Sequence, residues 1–483
     1  MKVPAMNPDF LRPATLAAAA LAALLAGCST MAPTYERPAA PVAASYPASV
    51  AGNTQAGTPA ADLEWQRFFS DARTKRLIEL ALQNNRDLRV AVLNMDRTRA
   101  LYQVQRADRL PSVNGVASLT RQPNTQGDQT SLYQVGLSVT SYELDLFGRV
   151  RSLSDAALAT YLATEEGRKA TQITLVGSVA RAALAVQADE ELLKLTQQTL
   201  ATREESLKLS QLRFDNGVAS ELDLQQARSL VASARATLAQ QQRQRELDEN
   251  ALVLLVGQPL PADLPPVLPL AETVMMADLP AGLPSDLLNR RPDVRQAEQT
   301  LLSANANIGA ARAAFYPRIT LTGSAGTASS ELSGLFKSGS GAWTFIPQIS
   351  LPIFDAGRNR ANLDATTVAR DIAVAQYEKA VQTAFREVAD ALAGRATLGE
   401  QVRQQQAQTE AESARFRLSD LRYRNGVASY LDLLDAQRSL FTVQQATVQT
   451  RLAELQNQVS LYQALGGGWT DTTVAQQGSS TAR

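Results

Sequence analysis

The sequence predicts a mainly α-helical chain with a smaller share of β-strand, built as an internal structural repeat. Three observations carry that reading. One unit occurs twice: Phe214, Asn216, Gly217, Ser220, Leu222 and Asp223 are answered 209 residues later by Tyr423, Asn425, Gly426, Ser429, Leu431 and Asp432. Residues 149–213 and 358–422 contain no proline and are dense in Ala, Leu, Gln, Arg and Glu, the composition of long helices. Four short segments alternate apolar and polar residues with period two. The repeat frame extends outward, Gly148 matching Gly357 and Gly257 matching Gly466, with 67 residues from the first glycine to each Asn-Gly pair and 40 from that Asn to the closing glycine. Lengths kept this equal mark length itself as a functional quantity.

Composition removes several function classes. Lys and Arg (47) balance Asp and Glu (47), so no excess charge points to nucleic acid. Histidine is absent and Cys28 is the one cysteine, which takes away the commonest general acid-base group, most zinc sites and any internal disulfide. The expectation is a protein without catalysis, cofactor or metal.

At the N-terminus, Lys2 and Arg12 precede an apolar stretch from Ala14 to Ala26, too short to span a bilayer but suited to a secretory signal covering residues 1–27. It ends in Leu25, Ala26, Gly27, Cys28 and Ser29, which resembles the bacterial lipoprotein box, where cleavage leaves Cys28 as a lipidated N-terminus. The plainer alternative is a buried thiol behind an ordinary signal peptide. In lipoproteins of this kind Ser29 is compatible with export to the outer membrane. Residues 28–61 carry Pro33, Pro38, Pro41, Pro47 and Pro59 without helical or strand periodicity, and predict an extended arm.

The body divides into a first repeat, 62–260, a second, 261–468, and a tail, 469–483. A helix of roughly 65 residues is about 100 Å long at 1.5 Å per residue and needs lateral partners along its length. Heptads supply them: Val374, Val381 and Val388, with Phe385 and Leu392 on the neighbouring row, face a returning helix carrying Leu434, Phe441, Val448, Leu452, Leu455, Val459 and Tyr462. Leu193, Leu200 and Leu207 repeat the pattern in the first copy, whose returning helix is poorer, with Arg243, Glu246 and Asn250. Returning helices at 220–256 and 429–465 fall short of their long neighbours, and segments 86–109 and 292–315 supply the missing length by stacking end to end with them. The remaining pieces, 62–84, 258–290 and the tail, gather at that junction.

Each shorter helix runs into a proline, Pro111 or Pro317, where it must stop. Strands follow at about 113–121, 132–143, 318–328 and 342–353, paired through loops Gln122 to Ser131 and Ser330 to Gly341. Tyr133, Val135, Leu137 and Val139 oppose Gln134, Gly136, Ser138 and Thr140; Trp343, Phe345, Pro347 and Ile349 oppose Thr344, Gln348 and Ser350. One apolar and one polar face fits a membrane barrel wall, and equally a half-buried soluble sheet; the exported, lipidated context favours the barrel. Four strands cannot close one. Two chains give eight strands and a filled interior, whereas three give twelve and a backbone diameter of roughly 24 Å, room for water.

With these features in place, the chain resembles the TolC family of outer-membrane efflux proteins, in its lipidated, OprM-like branch. The likeness rests on the lipoprotein box; on Trp65, Phe68, Phe69, Asp71, Leu77, Ile78, Asn85, Asp87 and Leu88; on the paired Asn-Gly turns; on Leu431, Asp432, Asp435, Ala436 and Gln437; and on the ending Ala464, Leu465, Gly466 and Trp469. It implies a homotrimer in which a 12-stranded barrel in the outer membrane is continuous with a 12-helix periplasmic α-barrel. It further implies a periplasmic membrane-fusion adaptor and an inner-membrane resistance-nodulation-division pump as partners, together with outer-membrane lipid. By the same resemblance the tip turns, Asn216, Gly217, Ser220, Asn425, Gly426 and Ser429, lie at the adaptor-docking end. Asp432 and Asp435 match acidic rings that constrict the entrance, and Asp223 and Tyr423 match a hydrogen-bonding pair that holds it shut.

Asp432 and Asp435 are three apart and share a helix face, so threefold repetition would gather six carboxylates around an axis. Read without the family, they are first-turn acids complementing a helix N-terminus capped by Ser429. One departure stands out: Ala428 occupies the place of an arginine that locks the tip in some relatives, leaving Arg422, Arg424 or other contacts to do so. Two rival functions remain at this level, a duct for protein secretion by an ATP-driven type I exporter and a lipid-anchored coiled-coil spacer of the envelope.

Overall fold

The computed structural model describes residues 30–46, 59–276, 279–280 and 288–469. The expected signal segment, Cys28 and the tail beyond 469 lie outside the described residues.

Helix α1 covers Ala72–Asn84 and α2 Arg86–Ala107. Strands β1, Val113–Pro123, and β2, Gln129–Leu144, precede α3, Arg149–Asp215, and α4, Glu221–Val256. The second repeat follows the same order with α5, Pro292–Ala313, β3, Arg318–Ser329, β4, Gly341–Ser350, α6, Arg358–Arg424, and α7, Tyr430–Ala464. Both long helices are 67 residues, two longer than expected, because nothing between Gly148 and Asn216, or between Gly357 and Asn425, breaks a helix. The chain forms two compact units, one from Met1–Ala39, Asn94–Glu165 and Gln296–Glu378, the other from Ala40–Leu93, Glu166–Arg295 and Lys379–Arg483.

In the first unit the strands form one antiparallel sheet in the order β1-β2-β3-β4, so each hairpin is intact and β2 pairs with β3 across the repeats. The register places Val113, Ala117 and Leu119, then Tyr133, Val135, Leu137 and Val139, on one face. Ile319 opposite Ile349, Leu321 opposite Pro347, Gly323 opposite Phe345 and Ala325 opposite Trp343 extend that face to β4. The other face carries Ser138, Ser324 and Thr344, with Ser324 Oγ and Thr344 Oγ1 2.8 Å apart. Alternation in β2 stops at Thr140 because a bulge adds a residue there; Ser141 takes a φ of 54°. The bulge returns Tyr142 and Leu144 to the apolar face and sends Glu143 to the polar one. On that polar face Gly136 and Gly326 lie opposite, and a Cβ at Gly136 would come 2.5 Å from the Ala325 carbonyl oxygen, so β2 and β3 approach closely only because both are glycine.

Strand ends differ from expectation by two or three residues in two places. Pairing in the first hairpin continues to Pro123 opposite Gln129, leaving a turn of Asn124 to Asp128 closed by the Asn124 N–H donating to the Asp128 carbonyl at 2.8 Å. β4 ends at Ser350 rather than 353, since Pro352 has no N–H for a ladder. No described residue covers the apolar face: Trp343 is 77 % exposed and Ile349 68 %. An exposed apolar face of this length is what a lipid-facing wall presents.

In the second unit the expected junction is present. Gly257, with φ 79°, closes α4 against the carbonyl of Asn84, and Asn85 Nδ2 donates to the Leu255 carbonyl at 2.9 Å, so the end of α4 abuts the start of α2. Its counterpart joins α7 to α5, where Arg291 donates to the Ala464 carbonyl at 2.9 Å beside Gly466, φ 85°. The core here is aromatic: Phe68 stacks on Tyr462 at 4.1 Å, and the Tyr462 hydroxyl donates to the Leu63 carbonyl at 2.6 Å. Asp71 caps α1 by accepting from the Thr74 N–H at 2.8 Å.

The heptad rows need correction. In α6 the buried stripe runs Ala373, Tyr377, Val381, Ala384, Val388, Ala391 and Leu392, whereas Val374 and Phe385 are only half-buried. Small residues and one tyrosine fill places that a search for large aliphatics passes over. In α3 the fully buried heptad row is polar, Thr196, Arg203 and Ser210, while Leu193, Leu200 and Leu207 are half-buried. Asp189, one heptad earlier on the same row, is also buried. Burial, reinforced by a hydrogen bond to Asp248 and by its negative charge, pushes the Asp189 carboxyl up to about 7.

A carboxyl whose pKa rises on folding holds its proton more tightly in the native state. Its contribution to stability is complete below about pH 4 and is lost as pH climbs through about 7. The melting temperature of Asp189→Asn therefore gains a few degrees relative to the wild type between about pH 5 and about pH 8. A difference in melting temperature that stays constant over that interval contradicts the assignment.

Candidate gate and docking tip

Both Asn-Gly turns lie in the second unit and are built identically. Gly217 and Gly426 take φ of 72° and 74°, a left-handed conformation that glycine adopts without steric cost. Gly217 N–H donates to the Phe214 carbonyl and Val218 N–H to that of Arg213, both at 2.9 Å; Gly426 and Val427 repeat this with Tyr423 and Arg422 at 3.0 Å. This pair of bonds is a Schellman closure, which satisfies carbonyls that the helix end leaves free. Asn216 and Asn425 add a side-chain bond each, Nδ2 donating to the carbonyl four residues back at 2.7 Å.

The returning helices start as symmetrically. Ser220 Oγ accepts from the Asp223 N–H at 3.2 Å while the Asp223 carboxylate accepts from the Ser220 N–H at 3.2 Å and from its hydroxyl at 2.8 Å. Ser429 and Asp432 form the same capping box at 3.3, 3.3 and 3.0 Å. Asp432 thus sits in the first helical turn as the sequence allowed, and it stays exposed on the same face as Asp435. Asp435 accepts from Arg415, which also contacts Glu412 at 3.1 Å and donates to Ser439 Oγ at 3.4 Å.

Asp223 and Tyr423 are not joined by a hydrogen bond. The Asp223 carboxylate is turned into its own cap, and Tyr423, 3 % exposed, is packed in an apolar cluster with Ala227, Leu230, Tyr430, Leu433 and Leu434. That cluster draws on α4, α6 and α7, with Leu207 of α3 against it, so it ties the two tip hairpins together. The rings of Tyr423 and Tyr430 are 5.5 Å apart, and the Arg213 guanidinium lies 4.5 Å over the Tyr423 ring, a cation–π contact. Burial, with Tyr423 next in weight, pushes the Tyr430 phenol up to about 12, so it is neutral throughout the physiological range.

Of the basic residues considered in place of Ala428, Arg424 bridges the hairpins, contacting Asp420 at 2.8 Å on its own helix and Glu205 of α3 at 3.2 Å. Both partners of the longer contact are exposed, so its contribution is small, about 0–1 kcal/mol. Sequence reasoning missed Tyr430, Arg213 and Glu205. A signal existed for Tyr430, since Glu221 in the first repeat becomes Tyr430 in the second, whereas Arg213 is answered by the identical Arg422.

In the first unit the described arm begins two residues after Cys28 and lies along α3 and α5. Thr30 Oγ1 and Ser152 Oγ are 2.7 Å apart, Asn305 Nδ2 donates to the Pro33 carbonyl at 2.8 Å, and Arg37 grips Glu298 through two bonds of 2.7 and 2.8 Å. Ser152 is in the first turn of α3, eight residues after β2 ends, which holds the start of the arm close to the sheet.

An antiparallel sheet with one exposed apolar face and open edges in the first unit, together with two matched helical hairpins with capped tips in the second, points to a channel-forming component of the bacterial outer membrane. Comparison with known proteins agrees. The family model for outer membrane efflux protein matches residues 77–258 and 283–467, once per repeat, and the chain belongs to that family. It is similar to the probable efflux pump outer membrane protein TtgC of Pseudomonas putida, 50% identical over 467 residues covering 95% of this chain and 96% of the relative. Outer membrane protein OprJ of Pseudomonas aeruginosa is 46% identical over 465 residues, 95% and 97% of the two chains. Among solved structures, the open state of the MtrE outer membrane channel of Neisseria gonorrhoeae superposes with a TM-score of 0.84 at 43% identity, covering 92% of this chain and 99% of that one. The chain is an outer-membrane component of a tripartite efflux system, working as a homotrimer with a periplasmic adaptor and an inner-membrane pump.

The caps give a local test. Ser220→Ala and Ser429→Ala should each cost about 1 kcal/mol of helix-end stability, speeding amide exchange at Asp223 and Asp432 roughly fivefold. Exchange unchanged in both variants shows that the boxes do not hold the tip.

Proposed function

We propose that the chain is the passive exit duct of its pump, with the acidic tip as its gate and no catalytic step of its own. The observation that carries this is the sheet, whose continuous apolar band faces away from every described residue while its opposite face is polar. Such a wall has a purpose only where lipid lies on one side and water on the other. Driving force then comes from the partner pump.

Asp432 and Asp435 form the constriction. Three subunits would bring six exposed carboxylates together at the tip, a ring that attracts cations and through them is blocked. Asp223 and Tyr423 act on either side of the same joint, and the turns at Asn216, Gly217, Ser220, Asn425, Gly426 and Ser429 meet the adaptor. Cys28 carries acyl chains that tether the arm. Neither the spacer nor the type I secretion reading has comparable support: the first leaves the apolar sheet unexplained, and relatives at 50% identity are named for efflux of antibiotics and of toluene. The substrates proposed here are accordingly small organic molecules of that range.

Two measurements follow. Deleting the gene should raise intracellular accumulation of antibiotics and aromatic solvents to the level seen on deleting the cognate pump, with no further rise in the double deletion; an additive double deletion separates the two proteins. In planar bilayers, Asp432→Asn with Asp435→Asn should relieve block by multivalent cations. Block of unaltered strength in that variant removes these carboxylates from the gate.

A further inference from the structure

The polar heptad row of α3 contains a charge without a counter-charge. Arg203 is 5 % exposed, and arginine does not lose its proton in proteins. One guanidinium N–H donates to the Leu230 carbonyl at 3.3 Å and the group lies 5.2 Å from the Phe441 ring centroid, but Nε has no partner. The strongest charge acting on it is that of Arg438, of the same sign; burial and that neighbour both weaken its hold on the proton. The contrast within this chain is Arg291, 7 % exposed, which is neutralised by Asp293 at 2.6 Å and Glu387 at 2.8 Å. A buried ion left unpaired costs several kcal/mol.

Arg203 also borders a cavity of about 160 Å³ between α3, α6 and α7. Its lining includes Gln198, Thr199, Thr202, Gln437 and Gln444, which bring amide and hydroxyl donors, and Phe416 and Phe441, but neither Asp nor Glu. A buried guanidinium beside neutral donors, with no acid in the lining, selects an anion, and a single negative charge balances that of Arg203. We propose that this cavity binds a small monoanion, of the size of chloride or acetate, as the counter-ion of Arg203. The site lies 13 residues before Asn216 along α3 and 12 after Ser429 along α7 at Phe441, so it braces helices from both repeats above the tip. It goes beyond the duct reading and does not depend on conduction.

Crystals of the full-length assembled protein grown in bromide should show an anomalous peak within about 3.5 Å of the Arg203 guanidinium, a charge-assisted hydrogen-bond distance, and Arg203→Gln should abolish it. In detergent solution the wild-type melting temperature should rise by about 2 °C or more when chloride or acetate replaces gluconate at equal ionic strength. Bromide with acetate tells a general monoanion site from a halide site, and either response supports the proposal. Should Arg203→Gln fail to fold, the wild-type peak and salt series still decide. Water alone in the cavity with salt-independent melting overturns the proposal, as does a carboxylate of a neighbouring subunit seated against Arg203.

Discussion

Everything in this molecule follows from the two open edges of its sheet. β1 and β4 each present a row of N–H and C=O groups that no described residue pairs, and their apolar side chains face outward along the whole sheet. In water such edges invite aggregation, and in lipid each unpaired group costs several kcal/mol. Antiparallel order makes β4 of one copy the natural neighbour of β1 of the next, so the edges are satisfied only by ring closure. Threefold closure repeats one subunit around an axis, and the internal repeat gives each subunit two long helices of equal length and two tips of matched construction.

The tip shows how one set of bonds serves both stability and function. Ser220 and Ser429 must be followed by an acid three residues on for a capping box, and that acid is also the first carboxylate of the proposed gate. Capping fixes where Asp432 sits, and Asp435 follows one turn later on the same exposed face. The hydrophobic joint of Tyr423, Tyr430, Leu433 and Leu434 holds the second hairpin against the first. In the proposed gate, opening moves this joint while the caps and Schellman turns travel as rigid pieces.

Much of this was legible in the residues. Helix lengths followed from Gly148, Asn216, Gly357 and Asn425, because glycine at a left-handed position and a long run without breakers leave little freedom. Strand faces followed from strict alternation in β2 and β4. Where pattern failed, the reasons are physical. The bulge at Ser141 shifts the period by one residue, which no alternation rule anticipates. The buried stripe of α6 depends on alanines, whose burial reflects close helix approach rather than hydrophobicity. The row Thr196, Arg203 and Ser210 is polar and buried, so reading apolar heptads selected its half-buried neighbours. At the tip, the paired turns and both caps were readable as sequence motifs. The contacts of Arg213 with Tyr423 and of Arg424 with Glu205 join residues about 210 or more apart, and local pattern carries no information about them.

A structure of the assembled protein in a lipid nanodisc tests the central claim most directly. It should show β1 of each subunit hydrogen-bonded antiparallel to β4 of the next, twelve strands in all, around a water-filled passage. Strand edges left unpaired, or a ring whose centre is packed with side chains, would contradict the account.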